Sequence, residues 1–305
     1  MAEVVNVIIP FYGSAQSARL NLATQSILEQ EGVDVNLVVA GINTATNIRS
    51  LACLARHPQE SVPGIVRVGV LINNGLRNAN DGFVYVSDAD IVLANPAHLQ
   101  LLVGESSMAG TALKRPPMRR LLLQDYDWFS EQVEERGLEN AIAGLDTSQE
   151  YIVKPRGADR PMQVFPKFEN RKHKVFIASE ADFQEYISHE ANKGSEPRYF
   201  NQDRHCGAVF APTQAFREVG GYHEGFISWG VWDADTQWKL ENRTGMKLIP
   251  NREEFSVIHL DHEKGYFSKE KWEHDKKLQI KRRSIGAEEC IERDRKDYLG
   301  RENVH

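Results

Sequence analysis

The chain has 305 residues, 41% of them hydrophobic and 26% charged, an ordinary globular composition with enough apolar residues for a substantial core. A formal net charge of −6, with no long basic stripe to offset it, argues against nucleic acid as the main partner. No stretch approaches the roughly twenty apolar residues of a membrane span, and Met1-Ala2-Glu3 opens without a basic or apolar leader, so we expect no transmembrane segment and a cytoplasmic location.

Three cysteines, Cys53, Cys206 and Cys290, are odd in number and far apart, which fits free thiols in a reducing compartment better than a disulfide framework. In chain order, the β-branched run Val4 to Pro10 predicts a buried parallel strand, and Ala15 to Gln30 a helix ended by Gly32. Val35 to Val39 reads as a second strand, Ile48 to Arg56 as a short helix, Ile65 to Leu71 as a third strand, and Gly75 to Ala79 as part of another helix. Phe83 to Val86 completes a strand-helix alternation that implies right-handed crossovers and a doubly wound α/β layer, with ligands beyond the carboxyl ends of the strands.

From about Met108 the character shifts. Lys114 to Arg120 is Pro-rich and basic, Leu121 to Leu145 reads as helical, and Asp146 to Arg204 is polar and broken by prolines. Cys206 to Phe210 predicts a strand, and Pro212 to Val219 a short helix closed by Gly220-Gly221. The periodic, charged stretch Ser268 to Arg295 predicts a peripheral helix whose Lys281-Arg282-Arg283 group forms a solvated face.

Three constellations carry chemistry. The first is Ser87-Asp88-Ala89-Asp90 at the end of an apolar strand. Residues i and i+2 share a strand face, so Asp88 and Asp90 can converge on one cation, and hard carboxylate oxygens suit Mn²⁺ or Mg²⁺ and hence a diphosphate. Solvated turn carboxylates would give the same pattern. The second is Trp229-Gly230-Val231-Trp232-Asp233-Ala234-Asp235. A glycine between two tryptophans lets backbone approach a ligand, indole faces suit sugar rings, and carboxylates at a helix start stay ionised and competent as a general base. A helix cap beside core tryptophans fits the same residues. The third is His259-Leu260-Asp261-His262, where one imidazole could complete a metal site begun by Asp90; the spacing and the absence of a cysteine pair speak against structural zinc.

In this order, an Ile-Ile-Pro strand, Asn-x-Gly, D-x-D, Gly-Gly-Tyr, Trp-Gly with an acidic helix start and a late histidine resemble the GT-A glycosyltransferases. Among these the chain is most similar to family 2 enzymes with a galactosyltransferase-type C-terminal region, including β-1,4-galactosyltransferases. The similarity covers residues 4–100 and 205–265 and finds no counterpart for 110–204. It implies a GT-A α/β fold, a doubly wound mixed sheet with a C-terminal acceptor-side region. The implied division is a donor-binding half at 1–105, a variable acceptor-side insertion at 106–204, a catalytic region at 205–265 and a helical tail at 266–305.

By the same resemblance, Pro10, Phe11 and Tyr12 shape the uridine pocket, and Asn73, Asp88, Ala89 and Asp90 belong to the donor site. Asp88 faces the ribose and Asp90 ligates the metal, with His259 or His262 as the late metal ligand. Asp233 is the implied catalytic base and Asp235 the next candidate, while Trp229, Gly230 and Trp232 meet sugar or acceptor. Val231-Trp232 replaces the family's Gly-Glu pair, Tyr12 replaces its pocket arginine, and no Asp-Asp pair follows Val39.

The expectation is therefore a Mn²⁺- or Mg²⁺-dependent transferase. It would move a hexose or N-acetylhexosamine from a UDP-sugar to a hydroxyl of a carbohydrate or glycosylated acceptor, with inversion. Alternatives are a retaining GT-A enzyme and a non-catalytic nucleotide-sugar binding module. A nucleotidyltransferase would need a Gly-rich basic loop after the first strand, and Gly13-Ser14-Ala15-Gln16-Ser17 has one glycine and no lysine.

Overall fold

The first strand is buried on both faces, as a central parallel strand requires. In this computed structural model, β1 (Glu3–Tyr12) sends Val5, Val7, Ile9 and Phe11 into one apolar cluster and Ile8 into another. The structure describes residues 2–12, 17–42, 53–56, 66–109, 112–113, 118–121, 126–145, 151–154, 162–166, 175–177, 199–202, 208–228, 230–248, 253–260 and 268–302.

After β1 come α1 (Ser17–Leu28), β2 (Val33–Ile42), β3 (Cys53–Arg56), α2 (Val68–Arg77) and β4 (Phe83–Val86). β2 and β4 flank β1 and run parallel to it, and β3 runs parallel to β2 on its far side. β12 (Val209–Pro212) closes the edge antiparallel to β4, giving the order β12-β4-β1-β2-β3. The order reverses between β1 and β4. Such a switch point opens a crevice beyond the carboxyl ends of the two strands, the usual ligand site of an open α/β sheet.

Two expected elements change type. Cys53–Arg56 was expected to end a short helix, but it is a strand, because Val38 to Gly41 of β2 offer it a parallel edge; residues 43–52 lie outside the described residues. Ile65 to Leu71 was expected to be a strand, yet Val68–Arg77 is a helix whose first nine residues are all buried. A continuous apolar run fits a buried strand and a buried helix equally well, and periodicity cannot separate them.

A second sheet, ordered β10-β9-β8-β11-β7-β14-β5, combines β5 (Ile91–Leu93), β7 (Met118–Leu121), β8 (Tyr151–Lys154), β9 (Met162–Pro166), β10 (Val175–Ile177), β11 (Tyr199–Gln202) and β14 (Val257–Leu260). The stretch set apart in sequence at 106–204 thus supplies most of its strands. Part of the helix expected over Leu121 to Leu145 forms, as α4 (Tyr126–Arg136) and α5 (Leu138–Ala143), after α3 (His98–Ala109). A small pair joins β6 (Ala112–Leu113) to β13 (Lys247–Leu248).

On one side of the first sheet lie α2, α6 (Thr213–Glu218) and α7 (Trp232–Thr244), backed by α8 (Lys269–Ile285) and α9 (Ala287–Glu302). The expected single peripheral helix is therefore two, divided at Gly286, and its inner face is not solvated: Asp275, Arg282 and Asp294 are at most 5% exposed. Among the described residues, no helix is long and apolar enough to cross a membrane.

Candidate active site

The D-x-D aspartates stand at the switch point. Ser87 N–H donates to the Ile8 carbonyl at 3.0 Å, which carries the β1–β4 pairing one residue past β4, and Asp88 follows. The chain then turns through Ala89 and Asp90 into β5, leaving the first sheet for the second. There β5 pairs antiparallel with β14, with Ile91 opposite His259, and Leu260 N–H donates to the Asp90 carbonyl at 2.8 Å. This register sets Asp90 Oδ2 3.6 Å from His259 Nε2.

A carboxylate oxygen and an imidazole nitrogen converging at that distance suit a borderline divalent ion such as Mn²⁺. Among the described residues, no third His, Cys, Asp or Glu joins them to make a closed protein cage. An Asp–His pair that leaves coordination positions for phosphate oxygens and water is how such ions are commonly held beside a diphosphate. His262 lies outside the described residues.

Tyr222 links the D-x-D to the acidic helix start. Its ring stacks on Phe216 and meets Trp232 at a 5.8 Å centroid distance. Burial pushes the hydroxyl well above the ordinary tyrosine range, and the charges of Asp233 and Asp88 add to the rise, so both carboxylates stand near one phenol. Tyr85 of β4 is raised by burial and by Asp88 in the same way. Both phenols therefore remain protonated, and neither hydroxyl has a hydrogen-bond partner among the described residues.

Asp233 is 1% exposed in the first turn of α7, where the helix dipole favours its anion. Asp235 is differently placed. Wholly buried, it accepts from Arg282 Nε at 3.1 and 3.2 Å and from Nη2 at 3.0 Å. Asp294 of α9 takes the same guanidinium through Nη2 at 2.7 Å and the Lys239 ammonium at 2.7 Å. Burial disfavours the Arg282 cation, but the bonds and charges of Asp235 and Asp294 outweigh it and hold the guanidinium above its ordinary range.

The remaining candidates divide. Pro10 and Phe11 are buried at the carboxyl end of β1, Tyr12 ends that strand with its side chain outside the described residues, and Ala89 is buried in the D-x-D turn. Asn73 lies in α2, 1% exposed, with its amide engaged by the Gly-Gly-Tyr turn: it donates to the Tyr222 carbonyl at 2.8 Å and to Glu224 at 2.9 Å, and accepts from Tyr222 N–H at 2.8 Å. Gly221, at φ 63°, brings the backbone against that amide where a Cβ would not fit. Trp232 is 2% exposed in the core, so the sugar-stacking expectation rests on Trp229, which lies outside the described residues. Gly230 precedes α7 at φ 89°.

No family model matches the chain, and no curated protein matches it in sequence. Solved structures do. TarS residues 1–349 from S. aureus in complex with UDP is 14% identical, with a TM-score of 0.50 over 99% of this chain and 72% of that one. The fold is that of the GT-A glycosyltransferases. Weaker likenesses to the GT-A fold include the mannosyltransferase PcManGT from Pyrobaculum calidifontis in complex with GDP-Man and Mn²⁺, at 13% identity and TM-score 0.47 over 92% of this chain and 62% of that one. Another is the catalytic domain of Drosophila β1,4-galactosyltransferase 7 with xylobiose, at 11% identity and TM-score 0.39 over 90% and 79%. The chain spans 38% of a longer TarS chain that it also matches.

Sequence reasoning missed Lys239, Asp275, Arg282 and Asp294. Their types and spacing look like surface charge, and the only local sign is that Asp275 and Arg282 recur seven residues apart, two turns of one helix face.

Proposed function

We propose that the chain is a metal-dependent glycosyltransferase that moves a hexose or N-acetylhexosamine from a UDP-sugar to a hydroxyl of a carbohydrate or glycosylated acceptor, with inversion at the anomeric carbon. The observation that carries this reading is the Asp90–His259 approach at 3.6 Å beside the switch point of a GT-A fold. Asp90 and His259 would hold the divalent cation, which when bound supplies positive charge to a departing nucleoside diphosphate.

The chain's own residues do the rest. Asp88, at the carboxyl end of β4, faces the donor's nucleotide side, and Pro10 and Phe11 wall the base pocket. Asp233 takes the proton of the acceptor hydroxyl as that oxygen attacks from the face opposite the diphosphate. Asp235 is committed to Arg282, which favours Asp233 as the base. Trp229 and Gly230 receive the sugar. The two protonated phenols, Tyr85 and Tyr222, add no negative charge near Asp88.

A panel of nucleotide sugars, assayed for Mn²⁺-dependent release of nucleoside diphosphate, tests the proposal. UDP-galactose or UDP-N-acetylgalactosamine as the preferred donor supports it, and proton NMR of the product's anomeric coupling tests inversion. A second reading, a nucleotide-sugar binding module, draws on Val231 and Trp232, both buried where the resembling enzymes carry Gly-Glu. Thermal stabilisation by UDP with Mn²⁺, without release of diphosphate from any donor, would select it.

A further inference from the structure

We infer that α8 is a brace for the base-bearing segment and that Asp275 is a positioning residue for it, acting through the backbone of Ile227 and Ser228. This deepens the proposed function and rests on Asp233 as the base. Asp275 is 0% exposed, and its carboxylate accepts Ile227 N–H at 3.1 and 3.0 Å and Ser228 N–H at 2.6 Å. Two successive backbone donors on one buried carboxylate fix the chain immediately before Trp229-Gly230. Two turns along the same helix face, Arg282 takes Asp235, immediately after Asp233 and Ala234. One rigid helix therefore grips the segment on both sides of Asp233, by an anion at 275 and a cation at 282.

Between the grips the chain contains Gly230 at φ 89°, a residue with little intrinsic preference to hold one path. Trp272 and Leu278 of α8 pack against the same core cluster as Trp232, so the brace is seated on the apolar layer beneath α7. His274 Nδ1, 3.0 Å from the same carboxylate, ties it further. Loss of the anion should let residues 227–233 shift while the D-x-D end of the site, on other elements, keeps its geometry. A displacement of about 1 Å at a reacting group costs on the order of 100-fold in rate.

The test compares wild type and Asp275→Asn, using UDP-galactose or whichever donor of the panel is hydrolysed best. The expected result is a kcat for Mn²⁺-dependent hydrolysis lowered about 10- to 100-fold, with KM and the thermal shift produced by UDP plus Mn²⁺ unchanged. Unchanged kcat, or loss of UDP binding in parallel with kcat, overturns the inference. Amide exchange gives an arm that does not depend on activity. In wild type, the Ile227 and Ser228 amides should be as protected as those of β1; in Asp275→Asn they should exchange at least about tenfold faster while β1 is unaffected. Rapid exchange of these two amides in wild type overturns the brace even if the variant does not fold. Wild type that hydrolyses no donor but keeps both amides protected would instead remove the transferase reading and leave the brace standing.

Discussion

Asp90 Oδ2 faces His259 Nε2 at 3.6 Å, although the two residues approach along different sheets: one on the turn that leaves the first, the other on a strand of the second. The β5–β14 register and the Leu260-to-Asp90 backbone bond hold them there independently of any ligand. Under the proposed function, pre-organisation of this kind would avoid ordering costs on binding an ion and a diphosphate.

Asp233→Asn should separate binding from chemistry. The amide keeps the size of the carboxylate but cannot accept the acceptor's proton, so turnover should fall about 10²- to 10⁴-fold while UDP affinity in the presence of Mn²⁺ stays within a factor of about three. Isothermal titration with UDP and a product-release assay measure the two sides. Near-normal turnover would remove Asp233 as the base.

Acid stability should report the buried ion network. Burial alone would raise the Asp294 carboxyl, but Lys239, His223 and Arg282 reverse this and hold it well below the usual carboxylate range. A folded-state value depressed in this way contributes stability that is fully present above the unfolded value, near pH 4, and is lost as pH falls through the folded one. Wild-type Tm should therefore decline from about pH 5 downward. Asp294→Asn, which leaves Lys239 and Arg282 undercompensated, should cost about 3–5 kcal/mol at pH 7 and show a flatter acid limb. Parallel Tm-versus-pH curves for the two proteins would contradict the assignment.

Gly75→Ala sets two effects against each other. Helix preference favours alanine in α2 by about 1 kcal/mol. The added Cβ, however, would stand 2.6 Å from Cγ2 of Ile8, a residue of β1 with no exposure, and overpacking costs about 1–3 kcal/mol. Packing should win, and the urea midpoint should fall; a raised midpoint would show that β1 can yield.

Much of this arrangement was legible in the chain, for reasons that can be named. The apolar run Phe83 to Val86 ending in Ser87-Asp88 reads as a strand end because every position is compatible with burial on both faces, and strand ends at a switch point are where ligands sit. The Gly-Gly-Tyr turn and the acidic helix start were equally visible, as local chemistry is. Ile65 to Leu71 was misread as a strand, although Val68 onward is helix, because all-round burial erases helical periodicity. Trp232 was read as a sugar platform because an indole serves core and ligand alike, and only the packing against Tyr222 decides. The Asp235–Arg282–Asp294 network was invisible: its first pair is 47 residues apart, and α8 reads as a solvated charged helix until the fold buries one face of it.

The most direct test of the central claim is Mn²⁺-dependent release of UDP from UDP-galactose and its relatives by wild type and by Asp90→Asn. If Asp90 and His259 hold the ion that serves the diphosphate, wild type releases UDP from at least one donor, EDTA abolishes the release, and Asp90→Asn loses about 100-fold or more, since even residues that only support metal ligands cost 10- to 100-fold when changed. Release by Asp90→Asn at the wild-type rate, or wild-type release that EDTA leaves unchanged, would contradict it.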